Sequence, residues 1–225
     1  ILNKMKNIVS VLLMSVVFWN CSSVEKKHDD ANKHMHQSSF EELVDRFEDP
    51  KRDAWQKPEL VIEKLGKIEG KTIADIGAGT GYFSRRLAQK GANVLALDVD
   101  SLFLDYIDKN TADSLKVITR KIPYNNPMLD SAEVDAVIIV DTYHHLENRY
   151  EYFREVWRGI KAGGQLMVVD FKKEETAEGP PVQMRIEGFE VMRELQNAGF
   201  VKVVIDVQTL SNQYIILAKK YDDAI

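Results

Sequence analysis

The chain has 225 residues, a formal net charge of −5, 44% hydrophobic residues and a single cysteine. That length suits one domain with appendages and is enough to bury a core without covalent staples. One cysteine excludes an internal disulfide framework and any zinc site built from several thiolates. The acidic balance argues against a nucleic-acid partner, because such binding rests on Lys and Arg neutralising phosphates.

In chain order, Met5-Lys6-Asn7 is followed by an apolar run from Ile8 to Trp19, interrupted only by Ser10 and Ser15. A run of that length is too short for a bilayer-spanning helix of about 20 residues. A charged start followed by a short apolar run reads as a secretory signal opening at Met5. Cys21 comes after Asn20, with Ser22 and Ser23 behind it. This arrangement resembles a bacterial lipoprotein signal, although Val17-Phe18-Trp19-Asn20 puts bulky groups where that pattern prefers leucine and small residues. The resemblance implies a signal sequence over residues 1–20, a lipid on Cys21 and attachment to a membrane surface of the bacterial cell envelope. The alternatives are an uncleaved anchor or, if the segment is no signal, a cytoplasmic protein. Removing residues 1–20 takes away Lys4 and Lys6 and deepens the charge from −5 to −7. Residues 21–39 are polar and aperiodic and read as a flexible tether. His28, His34 and His36 in it are read as solvated linker side chains rather than metal ligands.

From residue 40 onward strands and helices alternate. Phe40, Leu43, Val44 and Phe47 have helical spacing. Pro50 and Pro58 bracket a turn, and Glu59 to Leu65 is a second short helix. Thr72 to Ile76 is a short strand that runs into a glycine cluster. Helix follows over 82–90, strand over 93–99, helix over 102–109 and strand over 115–119. Val134 to Val140 is a β-branched run of the kind found in parallel strands buried on both faces. A helix over 149–160 is expected to stop at Gly163-Gly164, as glycine does at helix ends. A strand over 166–171, a helix over 187–198 and strands over 201–207 and 214–218 complete the chain. Alternation of this kind predicts a mostly parallel sheet with helices on both faces. The link from Gln208 to Gln213 is too short for a parallel crossover, so the last strand should be antiparallel.

The most informative stretch is Asp75-Ile76-Gly77-Ala78-Gly79-Thr80-Gly81-Tyr82, between a strand and a helix. Glycines there let the chain turn tightly and let a ligand approach the backbone. A dinucleotide fingerprint needs Gly-x-Gly-x-x-Gly, and here the third glycine comes one residue early, with Tyr82 in the place it would take. No Gly-Lys-Ser/Thr follows, so a Walker loop is excluded. Asp98 ends the next strand, where a carboxylate can accept from both hydroxyls of a ribose.

Asp75, the loop and Asp98 together resemble the first motif and following acid of class I S-adenosylmethionine-dependent methyltransferases. The resemblance spans about residues 60–219. It includes the terminal antiparallel pair and Lys161-Ala162-Gly163-Gly164 as the turn before the fifth strand. It implies a Rossmann-like α/β fold with a seven-stranded sheet and S-adenosylmethionine as cofactor. It further implies that Gly77, Gly79, Gly81 and Tyr82 flank the methionine portion, that Asp75 sits near its amino group, and that Asp98 and Val99 hold the ribose end. Asp141, ending the fourth strand, would lie at the cofactor. Many relatives place an acid after the third strand to hold the adenine; here that place is read as Arg120-Lys121.

Asp141-Thr142-Tyr143-His144-His145-Leu146 is similar to the segment after this strand in small-molecule methyltransferases. It is unlike the Asn/Asp-Pro-Pro-Tyr motif of enzymes that methylate amino groups of nucleic acid or glutamine. His144 or His145 is read as a general base, with capping or packing the first reading for His144 and an equal one for His145, and Tyr143 is read as shaping the methyl channel. Trp55 is read either as a cover over the cofactor or as packing, and the loop from Glu174 to Pro181 as acceptor-facing.

The expected organisation is a signal over 1–20, a tether over 21–39, and a methyltransferase domain over 40–225. In that domain 40–70 forms a helical cap and 71–225 the core. The expected activity is methyl transfer to a small-molecule acceptor. The alternatives are an envelope protein that binds S-adenosylmethionine or S-adenosylhomocysteine without catalysis and, more weakly, an NAD(P)-dependent oxidoreductase.

Overall fold

The computed structural model describes residues 38–221. The segment read as a signal, Cys21 and nearly all of the stretch read as a tether lie outside the described residues. Among the described residues no helix is long and apolar enough to cross a membrane.

Three short helices lead: α1 Phe40–Phe47, α2 Arg52–Gln56 and α3 Pro58–Glu63. The alternating core then runs β1 Thr72–Ile76, α4 Tyr82–Gln89, β2 Asn93–Asp98, α5 Ser101–Asn110, β3 Val117–Lys121 and β4 Val134–Val140. It continues through a 3-10 turn at Tyr143–His145, α6 Arg149–Gly159, β5 Ile160–Phe171, α7 Gly188–Asn197, β6 Val201–Asp206 and β7 Gln213–Lys219. The sheet order is β3-β2-β1-β4-β5-β7-β6. All pairings are parallel except those of β7, which lies antiparallel between β5 and β6. This is the Rossmann-like fold of class I methyltransferases, as the sequence predicts.

The period-2 pattern of the central strands splits the core between two faces. Val137 and Ile139 of β4, with Leu166 and Val168 of β5, pack with Tyr152, Phe153 and Val156 of α6 and with Val191 and Leu195 of α7. Ile138 and Val140, with Met167 and Val169, pack on the opposite side with Val61 and Ile62 of α3 and with Phe83 and Leu87 of α4. Ile138 and Ile139 are both fully buried, which is why the β4 run is apolar throughout rather than alternating.

Four local expectations change. The stretch between Pro50 and Pro58 is not a bare turn but holds α2, joined to α3 through Lys57 in a left-handed conformation (φ 46°). The strand read as 115–119 occupies 117–121, so Arg120 and Lys121 end β3 rather than follow it. The Arg120 guanidinium instead holds Glu133 through two hydrogen bonds of 2.6 and 3.1 Å. Helix α6 stops at Gly159, where a Cβ would lie 2.5 Å from Leu129. Lys161 to Gly164 belong to β5 and take up a register shift against β4.

Helix α1 begins with a reciprocal capping box. The Ser39 hydroxyl accepts from the Glu42 amide, and the Glu42 carboxylate accepts from the Ser39 amide. Phe40 and Phe47 of α1 pack on Phe103 of α5, with ring centroids 5.2 and 5.7 Å apart. The leading helices are thereby fixed over the carboxyl ends of β1 and β4, where open α/β sheets place their ligands.

Candidate functional site

A cavity of about 770 Å³ opens at those carboxyl ends. Its floor is the β1–α4 loop. Gly77 has φ 74°, and a Cβ there would stand 2.3 Å from the Thr142 hydroxyl. Its amide and that of Ala78 donate to the Leu97 carbonyl at 2.8 and 3.0 Å, which draws the loop against β2. Asp98 ties the loop from the other side: its carboxylate accepts from the Gly79 amide at 2.8 Å and the Asp100 amide at 2.9 Å. Burial raises the Asp98 pKa, and those two donors hold it back.

Asp75 lies on the cavity wall, buried, and accepts from the Ser84 hydroxyl at 2.7 Å. Burial pushes its pKa up to about 6, against the Ser84 hydrogen bond, and the charge of Asp98 adds to the rise. Asp141 directly follows β4 at φ 54°, a left-handed conformation that Asp tolerates better than most residues. Its carboxylate accepts from Arg52 at 3.2 Å, from Gln56 at 3.1 Å and from Gln213. Burial raises its pKa in spite of the Arg52 guanidinium.

Nothing in the sequence pattern marks Arg52 and Gln56 as site residues. They sit on α2, which has no readable periodicity, and they reach Asp141 across 89 and 85 residues of chain. Arg52 also stacks on Tyr82, its guanidinium carbon 4.1 Å from the ring centroid, with Arg86 at 3.8 Å. The Tyr82 hydroxyl donates to Asp53. Trp55 lines the cavity and also packs on Phe171 at 6.1 Å, so both of its readings describe the same side chain.

Of the residues expected from sequence, Asp75, Gly77, Gly79, Tyr82, Asp98, Val99, Asp141 and His145 line the cavity. Gly81 does not; it precedes α4 at φ 81° and faces Ile107. Tyr143 does not either, which corrects its reading as a channel residue. It is fully buried, and its hydroxyl donates to Glu194 at 2.6 Å, which Arg149 holds through two further bonds. Its ring stacks on Phe153 at 5.0 Å because side chains of a 3-10 turn point to different sides, and this one points into the core. Beyond β3, Ile122, Pro123 and Tyr124 line the cavity, and none of the three is an acid.

His144, first read as packing, lines the cavity as well. Its Nδ1 stands 2.9 Å from Asp170 Oδ1, and its backbone amide donates to Asp170 Oδ2 at 3.0 Å. Asp170 comes from the end of β5 and is 1% exposed. Burial lowers the His144 pKa, but the charge and hydrogen bond of Asp170 outweigh it and the net shift is upward. The far wall is the loop after β5, with Gly179, Pro180, Pro181 and Met184. Arg185 pins it: the guanidinium, 4% exposed, donates to the carbonyls of Pro180, Lys172, Glu174 and Glu178 and to the Thr176 hydroxyl.

These residues fit S-adenosylmethionine. The glycine turn at Gly77 has no room for a Cβ, and two buried carboxylates, Asp75 and Asp98, with the partly exposed Asp141, meet a ligand whose ammonium and sulfonium are cationic. Among the described residues no group of three or more His, Cys, Asp or Glu could hold a metal ion.

Comparison with known proteins agrees. Residues 74–168 match the family model described as a methyltransferase domain. A demethylmenaquinone methyltransferase of Tropheryma whipplei is 29% identical over 117 residues, which cover 52% of this chain and 48% of that protein. A ubiquinone biosynthesis O-methyltransferase of Alkalilimnicola ehrlichii is 26% identical over 149 residues, covering 60% and 59%. The chain spans about half the length of the curated relatives it matches. The crystal structure of a SAM-dependent methyltransferase from Aquifex aeolicus superposes with a TM-score of 0.74 at 27% identity, covering 81% of this chain and 98% of that one. The glycine loop, the acid-ended strands and these likenesses point the same way: residues 74–168 are similar to a methyltransferase domain, and the chain shares its fold with an S-adenosylmethionine-dependent methyltransferase.

Proposed function

We propose that the protein transfers the sulfonium methyl group of S-adenosylmethionine to a small-molecule acceptor by in-line displacement. The observation that carries this reading is the cavity that joins the Gly77–Gly79 turn, Asp75 and Asp98 on one side to His144, His145 and the loop after β5 on the other. One end suits a cationic nucleoside and the other a second, smaller molecule. Bound there, the cofactor supplies an electrophilic methyl group. Asp98 and Val99 hold the ribose end, the backbone around Gly77 and Gly79 borders the methionine portion, and Asp75 and Asp141 face its positive charges. The helices α1 and α2 exclude water from above, and orientation of this kind contributes up to about 7–11 kcal/mol to such a transfer. The names of the relatives, which concern demethylmenaquinone and ubiquinone biosynthesis, support an aromatic acceptor.

Calorimetry on the full chain tests the reading. S-adenosylmethionine should bind, and Asp98→Ala should weaken it at least about tenfold, since a hydrogen bond to a charged group contributes about 1.5–3 kcal/mol. Tight binding of NAD with none of S-adenosylmethionine would sink it. Binding without transfer to any acceptor would favour a non-catalytic binder, a reading that the lack of an acid among Ile122, Pro123 and Tyr124 also supports.

For residues 1–21 we infer a lipoprotein signal with a lipid on Cys21, supported by the apolar run and the position of the only cysteine. Fatty-acid labelling in a bacterial host that Cys21→Ser abolishes is the expected result. Equal labelling of the variant would overturn it.

A further inference from the structure

Within the cavity, one pair of side chains has the form of a proton acceptor. His144 comes from the 3-10 turn after β4 and Asp170 from the end of β5, 26 residues apart, and both are almost wholly buried. Asp170 grips His144 twice, at the backbone amide and at Nδ1. A buried carboxylate at Nδ1 fixes the tautomer that carries its proton there. Nε2 is then the nitrogen left as acceptor on a residue that lines the cavity.

We propose that His144, held by Asp170, is the general base of the transfer, and that the acceptor is a phenolic or enolic hydroxyl. The inference rests on the methyltransferase reading and narrows it. A neutral hydroxyl is a poor nucleophile and must lose its proton as it attacks, whereas an amine presents a free lone pair, so a built base points to the hydroxyl. The O–H proton passes to Nε2. The electron pair left on oxygen forms the new bond to the methyl carbon for an O-methyl product; for a C-methyl product it is delivered through the ring carbon, which then gives up its own hydrogen as a proton to water while the oxygen regains one. The electron pair of the broken S–CH3 bond stays on sulfur. Asp170 steadies the imidazolium, whose proton then leaves to water.

The charged and titratable groups around the pair agree with this role. Asp141 on β4 adds to the rise in the His144 pKa, and Arg185, beyond the loop, opposes it. The His145 ring lies 4.1 Å away, centroid to centroid. On β7, Tyr214 feels the Asp170 charge but donates its hydroxyl to the Ile186 carbonyl rather than competing for the carboxylate. The bond between His144 and Asp170 thus has no rival donor from β7.

The first test is an NMR titration of 15N-labelled imidazoles in the full chain without cofactor. His144 should show the Nδ1-protonated tautomer and titrate above the ordinary histidine range, and Asp170→Asn should lower that titration. A His144 that titrates as a free imidazole, or keeps the opposite tautomer, overturns the proposal. Should Asp170→Asn fail to fold, the tautomer in the unaltered protein decides. The second test is His144→Gln, which should leave S-adenosylmethionine binding within threefold and lower transfer to catechols and hydroquinones by about 10²–10⁴-fold. Part of that loss should return as pH rises and the acceptor ionises on its own. Transfer to anilines but not phenols, or a variant within threefold of the parent, overturns it. If the unaltered chain binds no S-adenosylmethionine, the methyltransferase reading fails, while the NMR titration still judges the pair.

Discussion

Asp75 ties pH to binding. Its pKa of about 6 means that the empty site takes up a proton as pH falls through 6. A cationic ligand prefers the carboxylate, so affinity for S-adenosylmethionine should be level above pH 7 and fall up to about tenfold per unit below 6. Asp75→Asn should bind more weakly and lose that slope, measured by calorimetry at several pH values. The sign for stability is opposite. The folded pKa lies above the unfolded one, so this residue makes the empty protein more stable as pH falls from 7 toward 4. Gly77→Ala is a steric test. A φ of 74° and a Cβ 2.3 Å from Thr142 should cost about 1–3 kcal/mol, seen as a lower melting temperature together with lost cofactor binding.

At the scale of elements, α2 is the piece that sequence alone does not show. Its five residues, Arg52–Gln56, are too few for a helical period and lie between prolines that announce a turn. The site it helps build needs Gln213 from β7 as well, with a Gln56–Gln213 bond spanning 157 residues of chain. No local pattern foretells such a meeting. The strand-loop-helix around Gly77 was legible because its constraint is local: a turn that needs glycines and a strand that ends in an acid. Asp170 was not, since one acid at a strand end carries no message until β4 and β5 bring it to His144. Arg52→Ala should cut cofactor affinity about tenfold, because it frees α2 from Asp141 and Tyr82 while touching neither sheet face. Unchanged calorimetric affinity would show that α2 is only a cover.

For the whole molecule, the two faces of the sheet have separate apolar cores, yet the ligand site belongs to neither. It lies at the strand ends, where the leading helices, the glycine loop and the loop after β5 converge. Ligand should therefore stabilise the fold as one unit. At a hundredfold excess over its dissociation constant, S-adenosylmethionine should add about 2.7 kcal/mol, or roughly 5–10 °C in melting temperature. A thermal scan that shows a second, ligand-insensitive transition would mean that the leading helices melt on their own.

The loop held by Arg185 has a consequence for how this fold changes its chemistry. Four main-chain carbonyls and one hydroxyl satisfy that guanidinium, and no carboxylate is among them. The bracing is thus almost blind to the side chains between Lys172 and Arg185. The loop behaves as a frame with exchangeable panels. Its path is set at folding, so the ordering cost is already met when a ligand arrives. Substitutions along it can reshape the wall facing an acceptor while the nucleoside end, on the other side of the cavity, stays as it is. A lineage descended from this chain could trade one acceptor for another without rebuilding its backbone.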